Sequence, residues 1–122
     1  MEINEDQSYT KYKITSMDPG SISINEIAYT QSLILHPNHL IEHWPVNTIA
    51  HIHADNLKTI IDLKPEIILI GTGETFQLVP ASTLAPLYDA DIGVECMDTR
   101  AACRTYVALT AEHRNVVAAL II

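Results

Sequence analysis

Three groups of residues in this chain have the types and spacing to do chemistry. The first is Gly71-Thr72-Gly73, which follows the apolar run at 67–70. Glycines there let the chain turn sharply and leave backbone amides exposed after a strand, an arrangement able to cradle an anion. The third glycine of a dinucleotide fingerprint is absent, because Gly73 is followed by Glu74, Thr75 and Phe76. No GK[ST] sequence follows either, so a Walker phosphate loop is excluded. The plainer reading is a tight strand exit, and it is preferred over a ligand site.

The second group is Asp98, Arg100, Cys103 and Arg104. An acid at a strand end, a thiol and guanidinium groups on the following helix could form a reactive pocket. A helix amino terminus lowers a thiol pKa, but Cys103 sits just past the first turn, where the effect is weak. Asp98 reads more simply as a helix cap and Cys103 as packing. Arg100 and Arg104 are four apart and share a helix face, suited to an acidic partner or a carboxylate.

The third group is histidine. His36, His39 and His43 are spaced by three and four, with His51 and His53 nearby. Zinc can take three such ligands and keep an open fourth position. Pro37 and Pro45 prevent one continuous helix from presenting them, so solvated loop histidines are the preferred reading and no metal is assigned. No Ser-His-Asp or paired-carboxylate arrangement can be argued from one sequence, so no catalytic residues and no cofactor are assigned.

The elements that must position these groups are legible. Residues 67–70 form a short apolar run without polar alternation, three of them isoleucine, which suits a strand buried on both faces. Pro65 ends the preceding helix by excluding Lys64 from the helical region. That helix is expected over 53–63, with Leu57, Ile60 and Ile61 on one face and Asp55 near its positive end. Ser82 is expected to cap a short helix to about Tyr88, with Pro86 in its first turn. A strand over 93–97, a helix over 99–113 capped by Asp98 and striped by Ala102, Tyr106 and Leu109, and a strand over 116–122 complete the second half. This alternation predicts an α/β fold with a largely parallel or mixed sheet and helices packed on it.

The first third reads as an antiparallel meander: strands over 12–17, 21–24, 27–29 and 32–35, with a turn at Asp18-Pro19-Gly20. Asn25 suits a tight hairpin turn, but Glu26 is a poor second partner, so a looser turn is expected. Residues 36–50 read as irregular, with Trp44 plugging the loop onto the core. Residues 1–11 are expected to be a flexible acidic tail and 12–122 a single α/β domain.

Composition narrows the function classes. The chain has 122 residues, 48% of them apolar, enough for one domain with a core. A net charge of −8 argues against nucleic acid or an anionic membrane as the main partner. No apolar stretch has transmembrane length, and the acidic start matches neither a secretory signal nor a presequence. Cys96 and Cys103 suggest no disulfide framework, so a cytoplasmic location is expected.

The blocks PEIILIGTGE, IGVECMDTRAACRTY and RNVVAALI, with the DPGSI and YTQSLIL segments, carry a resemblance running from about Ile14 to the end. The chain resembles a small family of unknown function that includes many bacterial single-domain proteins, a mitochondrial respiratory complex I assembly factor and an animal adipogenesis-associated protein. The resemblance implies a compact α/β domain with a mixed central sheet and an added N-terminal β-hairpin layer. Gly71 and Gly73 match the family's glycine pair. Glu95, Met97, Asp98 and Thr99 match the strand end and helix entry, and Ala102, Thr105 and Tyr106 the helix. The family's usual Asn after the Tyr and Gly after the helix-end Glu are replaced by Val107 and His113, the latter implying a different helix terminus. The resemblance implies no enzymatic activity.

The expectation is therefore a non-catalytic cytosolic domain acting through protein contacts, in assembly or maturation of a larger complex, with homo-oligomerisation plausible. The alternative is a small-molecule or anion-binding protein or enzyme with its site at Gly71, Thr72, Gly73, Asp98, Arg100 and Arg104.

Overall fold

The computed structural model describes residues 10–122. Two sheets and three helices build it. Strands β1 (Ile14–Asp18), β2 (Ser21–Ile24) and β3 (Ile27–Tyr29) form a small antiparallel sheet. Strands β4 (Leu33–His36), β5 (His39–Ile41), β6 (Ile67–Gly71), β7 (Gly93–Met97) and β8 (Val116–Leu120) form a second sheet in the order β5-β4-β8-β6-β7. There β8, β6 and β7 run parallel while β4 is antiparallel to β8 and β5 to β4, so the central sheet is mixed. Helix α1 spans Ala54–Asp62, α2 Ala81–Asp89 and α3 Thr99–Ala111.

Alternation along the strands divides the core. Ile68, Ile70, Val117 and Ala119 face one side, with Leu57 and Ile60 of α1 and Leu84 and Leu87 of α2. Leu69, Val116, Ala118 and Leu120 face the other, with Ala102, Cys103 and Tyr106 of α3 and Ile22 and Ile24 of β2. The period of two in side-chain direction sends alternate residues to opposite faces, and both faces are covered, so β6 needs no polar positions. The small sheet is thus the added layer, sharing its side of the central sheet with α3.

Several local features differ from the sequence expectations. The meander stops at β3, because β4 leaves it to pair with β8 in the central sheet. The β2–β3 turn is tight: Asn25 and Glu26 take φ of 51° and 70°, and Ile24 pairs directly with Ile27. Asn25 Oδ1 accepts from the Lys13 amide at 3.0 Å, and the Glu26 amide donates to Thr15 Oγ1 at 3.0 Å. These bonds hold Glu26 in a conformation that glutamate disfavours alone. Residues 36–39 turn the chain into β5, so the region that reads as irregular contains a strand.

Helix α2 starts behind Pro80 rather than at a Ser82 cap, and Pro86 lies past the first turn. Its ring therefore removes a helical hydrogen bond to Ser82. Helix α3 ends at Ala111, short of residue 113. His113 takes φ of 60°, and the Arg114 amide reaches the Leu109 carbonyl at 3.1 Å. That is the closure a glycine makes at this place, so the terminus keeps its geometry without the glycine.

Trp44 is buried and donates from Nε1 to the Asn56 carbonyl at 2.9 Å, anchoring its loop to α1. The acidic segment over 1–9 lies outside the described residues. At Lys11 the backbone amide already donates to the Pro37 carbonyl at 2.8 Å.

Candidate functional site

The parallel strands β6 and β7 carry the chain to one end of the sheet, where the 71–73 turn meets the start of α3. Gly71 is buried, and a Cβ built there would lie 2.8 Å from Thr99 Oγ1 and 3.0 Å from both Leu120 Cδ2 and Thr99 Cα. The glycine is thus required by close approach of strand and helix. Thr99 stitches the junction. Its Oγ1 accepts from the Gly73 amide at 2.8 Å and donates to the Ile121 carbonyl at 2.6 Å. Its own amide donates to the Gly73 carbonyl at 2.9 Å.

The amides of the turn are thereby occupied. Thr72 N–H donates to the Met97 carbonyl at 2.8 Å, and Gly73 N–H is held by Thr99. An anion at this turn would have to compete with those internal bonds. The Thr72 hydroxyl is also engaged, donating to the Thr75 carbonyl at 3.0 Å and accepting from the Gln77 amide at 3.1 Å. It folds the loop after the turn back on itself.

Asp98 caps α3, its Oδ1 accepting from the Ala101 amide at 2.9 Å. Arg100 and Arg104 are exposed one turn apart, and neither makes an ion pair among the described residues. A cleft of about 570 Å³ lies over this end of the sheet. Thr72, Gly73 and Arg100 line it, whereas Gly71, Asp98 and Arg104 do not. Its far side comes from the β1–β2 hairpin, including Asp18 and Ser21, and from Thr48. Those residues, and Thr99 as the stitch, are missed as site residues in the sequence. Helix capping by Asp98 points to a helix start, but nothing local indicates that a hairpin about eighty residues upstream arches over it.

The thiols are not activated. Cys103 is buried among apolar side chains, and burial pushes its pKa up to about 12, against a smaller downward pull from Arg104. Burial raises Cys96 as well, with Glu95 adding to the effect.

The histidines are occupied separately. His36 Nδ1 accepts from the Asn38 amide at 3.0 Å, so Nε2 carries the proton and donates to Asn115 Oδ1 at 3.0 Å. Burial lowers the His36 pKa, opposed by the Asn115 hydrogen bond and aided by His39. His51 Nδ1 accepts from the Asn47 amide at 3.2 Å, and His43 Nδ1 lies 2.9 Å from Gln31 Oε1. Among the described residues no three His, Cys, Asp or Glu side chains converge on one point.

Residues 14–121 match the sequence profile of a family described as Protein of unknown function (DUF498/DUF598). The chain belongs to this family. A "13 kDa major membrane protein" of Francisella tularensis is 36% identical over 98 residues, 80% of each chain. The zebrafish NADH dehydrogenase [ubiquinone] 1 alpha subcomplex assembly factor 3 is 32% identical over 111 residues. That alignment covers 88% of this chain and 63% of the zebrafish protein, so about a third of the latter lies outside the comparison. Among solved structures, a Bordetella parapertussis protein superposes with a TM-score of 0.84 at 37% identity, covering 89% of this chain and 93% of that one. Among the described residues no helix is long and apolar enough to cross a membrane.

Proposed function

We propose that this chain is a non-catalytic contact module that docks a protein partner during assembly or maturation of a larger complex, in the cytosol. The observation that carries the reading is the loop after the Thr99-stitched turn. Leu78 is 79% exposed and Phe76 55% exposed, two residues apart in a segment without regular structure. Among the described residues most large apolar side chains are sequestered on the two faces of the sheet. Burying these two in a partner would gain about 1.5–3 kcal/mol each. Apolar groups held out by an otherwise well-packed domain suit an interface.

Two further points favour the reading. The thiols are buried or raised in pKa, and the polar groups of the 71–73 turn serve the fold. The zebrafish relative is named as an assembly factor, a role that requires protein partners. The acidic surface favours a basic or neutral protein over nucleic acid.

The test is affinity purification at native expression of the wild-type chain and of a Phe76→Ser, Leu78→Ser variant. The wild type is expected to recover a partner in constant ratio, and the variant to lose it while keeping its own unfolding midpoint. Recovery of no partner by the wild type, or undiminished recovery by the variant, would count against the proposal. Fractionation of the same cells tests the location, where recovery in the membrane pellet resistant to salt would contradict a cytosolic site.

A further inference from the structure

The cleft over the β6–α3 junction carries charges of both signs on three separate elements. Asp18 sits at the tip of the β1–β2 hairpin, Glu74 on the loop after β6, and Arg100 in the first turn of α3. None of the three lies in an ion pair among the described residues, although all line one cleft. The wall bearing Glu74 is pre-organised, since the buried Thr72 hydroxyl ties the loop back at Thr75 and Gln77. The volume, about 570 Å³, lies within the ordinary range for small-molecule sites. Ile121 contributes apolar surface, and Thr48 and Gln77 contribute hydrogen-bonding groups.

This composition selects against a simple anion. A phosphate or carboxylate drawn to Arg100 would also face Asp18 and Glu74, on a protein whose net charge is −8. A simple cation would meet Arg100. A ligand with both charges satisfies all three groups. We propose that the cleft binds a short zwitterionic peptide, with Arg100 taking its carboxylate, Asp18 and Glu74 taking its ammonium, and Thr48 and Gln77 meeting its amide groups. Guanidinium–carboxylate pairing is among the strongest polar contacts available to such a site. Gln77 places this site on the same loop as Phe76 and Leu78, but neither of those side chains lines the cleft, so either contact can fail without the other.

The experiment is a titration of the isotope-labelled full chain with trialanine, followed by backbone amide NMR shifts. Saturable shifts are expected at Gly20, Gly73, Glu74 and Arg100. Acetylating the amino end or amidating the carboxyl end of the probe should each weaken binding by about threefold to tenfold, since each removes a charge contact that the proposal assigns. Arg100→Gln should weaken trialanine binding but leave binding of the amidated probe unchanged. Arg100→Lys should recover part of the loss. Because Arg100 is exposed and lies in no ion pair among the described residues, both variants should retain the wild-type spectrum elsewhere. Absence of saturable shifts at millimolar trialanine would overturn the proposal. So would shifts scattered over the surface, or equal binding of the acetylated probe, which would mark a carboxylate-only site.

Discussion

Replacing Gly71 by alanine tests the junction at the centre of the fold. The added Cβ would sit 2.8 Å from Thr99 Oγ1 and 3.0 Å from Leu120 Cδ2. A free hydroxyl could rotate away, but this one is pinned by the Gly73 amide at 2.8 Å and the Ile121 carbonyl at 2.6 Å. Overpacking in a tight core costs about 1–3 kcal/mol. If the hydroxyl yields, up to two hydrogen bonds of about 1 kcal/mol each are lost. Alanine returns about 0.4–1 kcal/mol by restricting the unfolded chain. The net expectation is a loss of about 2–3 kcal/mol, a large part of the ~5–15 kcal/mol typical of a domain. Urea unfolding would register this as a midpoint lowered by about 1–1.5 M, for a slope of about 2 kcal/mol/M. Thr99→Ala removes the clashing oxygen, so the double variant should be less destabilised than the sum of the singles by about 1 kcal/mol. A Gly71→Ala protein within about 0.5 kcal/mol of wild type, or strict additivity with Thr99→Ala, would refute the reasoning.

Three further outcomes are expected. Asp91 closes α2 with φ of 60°, the Ile92 amide reaching the Leu87 carbonyl at 3.1 Å, so Asp91→Gly should stabilise the fold by about 0.5–1 kcal/mol in the same urea assay. His36 is held neutral in the fold with its pKa below the ordinary 6.5. Between the two values the unfolded chain binds more protons, so stability should fall as pH drops below about 6.5. His36→Gln should flatten that limb, leaving the acid limb below pH 4.5 to carboxylates such as Glu66, whose pKa the Arg114 hydrogen bond lowers. Cys103, buried and with its pKa raised to about 12, should resist iodoacetamide at neutral pH until the chain is unfolded in urea, as followed by mass spectrometry.

The central strand, the Asp98 cap and the helix–strand alternation were legible because each rests on local chemistry. A short β-branched apolar run without polar alternation, bounded by Pro65 and Gly71, suits a covered strand, and an aspartate after a strand and before a periodic segment suits a helix cap. The mixed sheet followed from the order of elements and from the family resemblance. What escaped was set by distant partners. Strand β5 is three residues long and is defined by its pairing with β4, which is itself paired to β8. Glu26 accepts a left-handed conformation because Thr15 and Lys13 brace the turn. At the candidate site, the sequence pointed to exposed amides after Gly71, but the Thr99 hydroxyl claims one of them. The cleft itself forms only when the Asp18 hairpin closes over α3, a tertiary event without a local signal.

The contact loop is the part of the account most directly open to measurement. A photo-crosslinking amino acid placed at Leu78 in cells at native expression should give one discrete adduct, while the same group at exposed Glu112 should give none. No adduct from position 78, or the same adducts from both positions, would contradict a docking role for this loop.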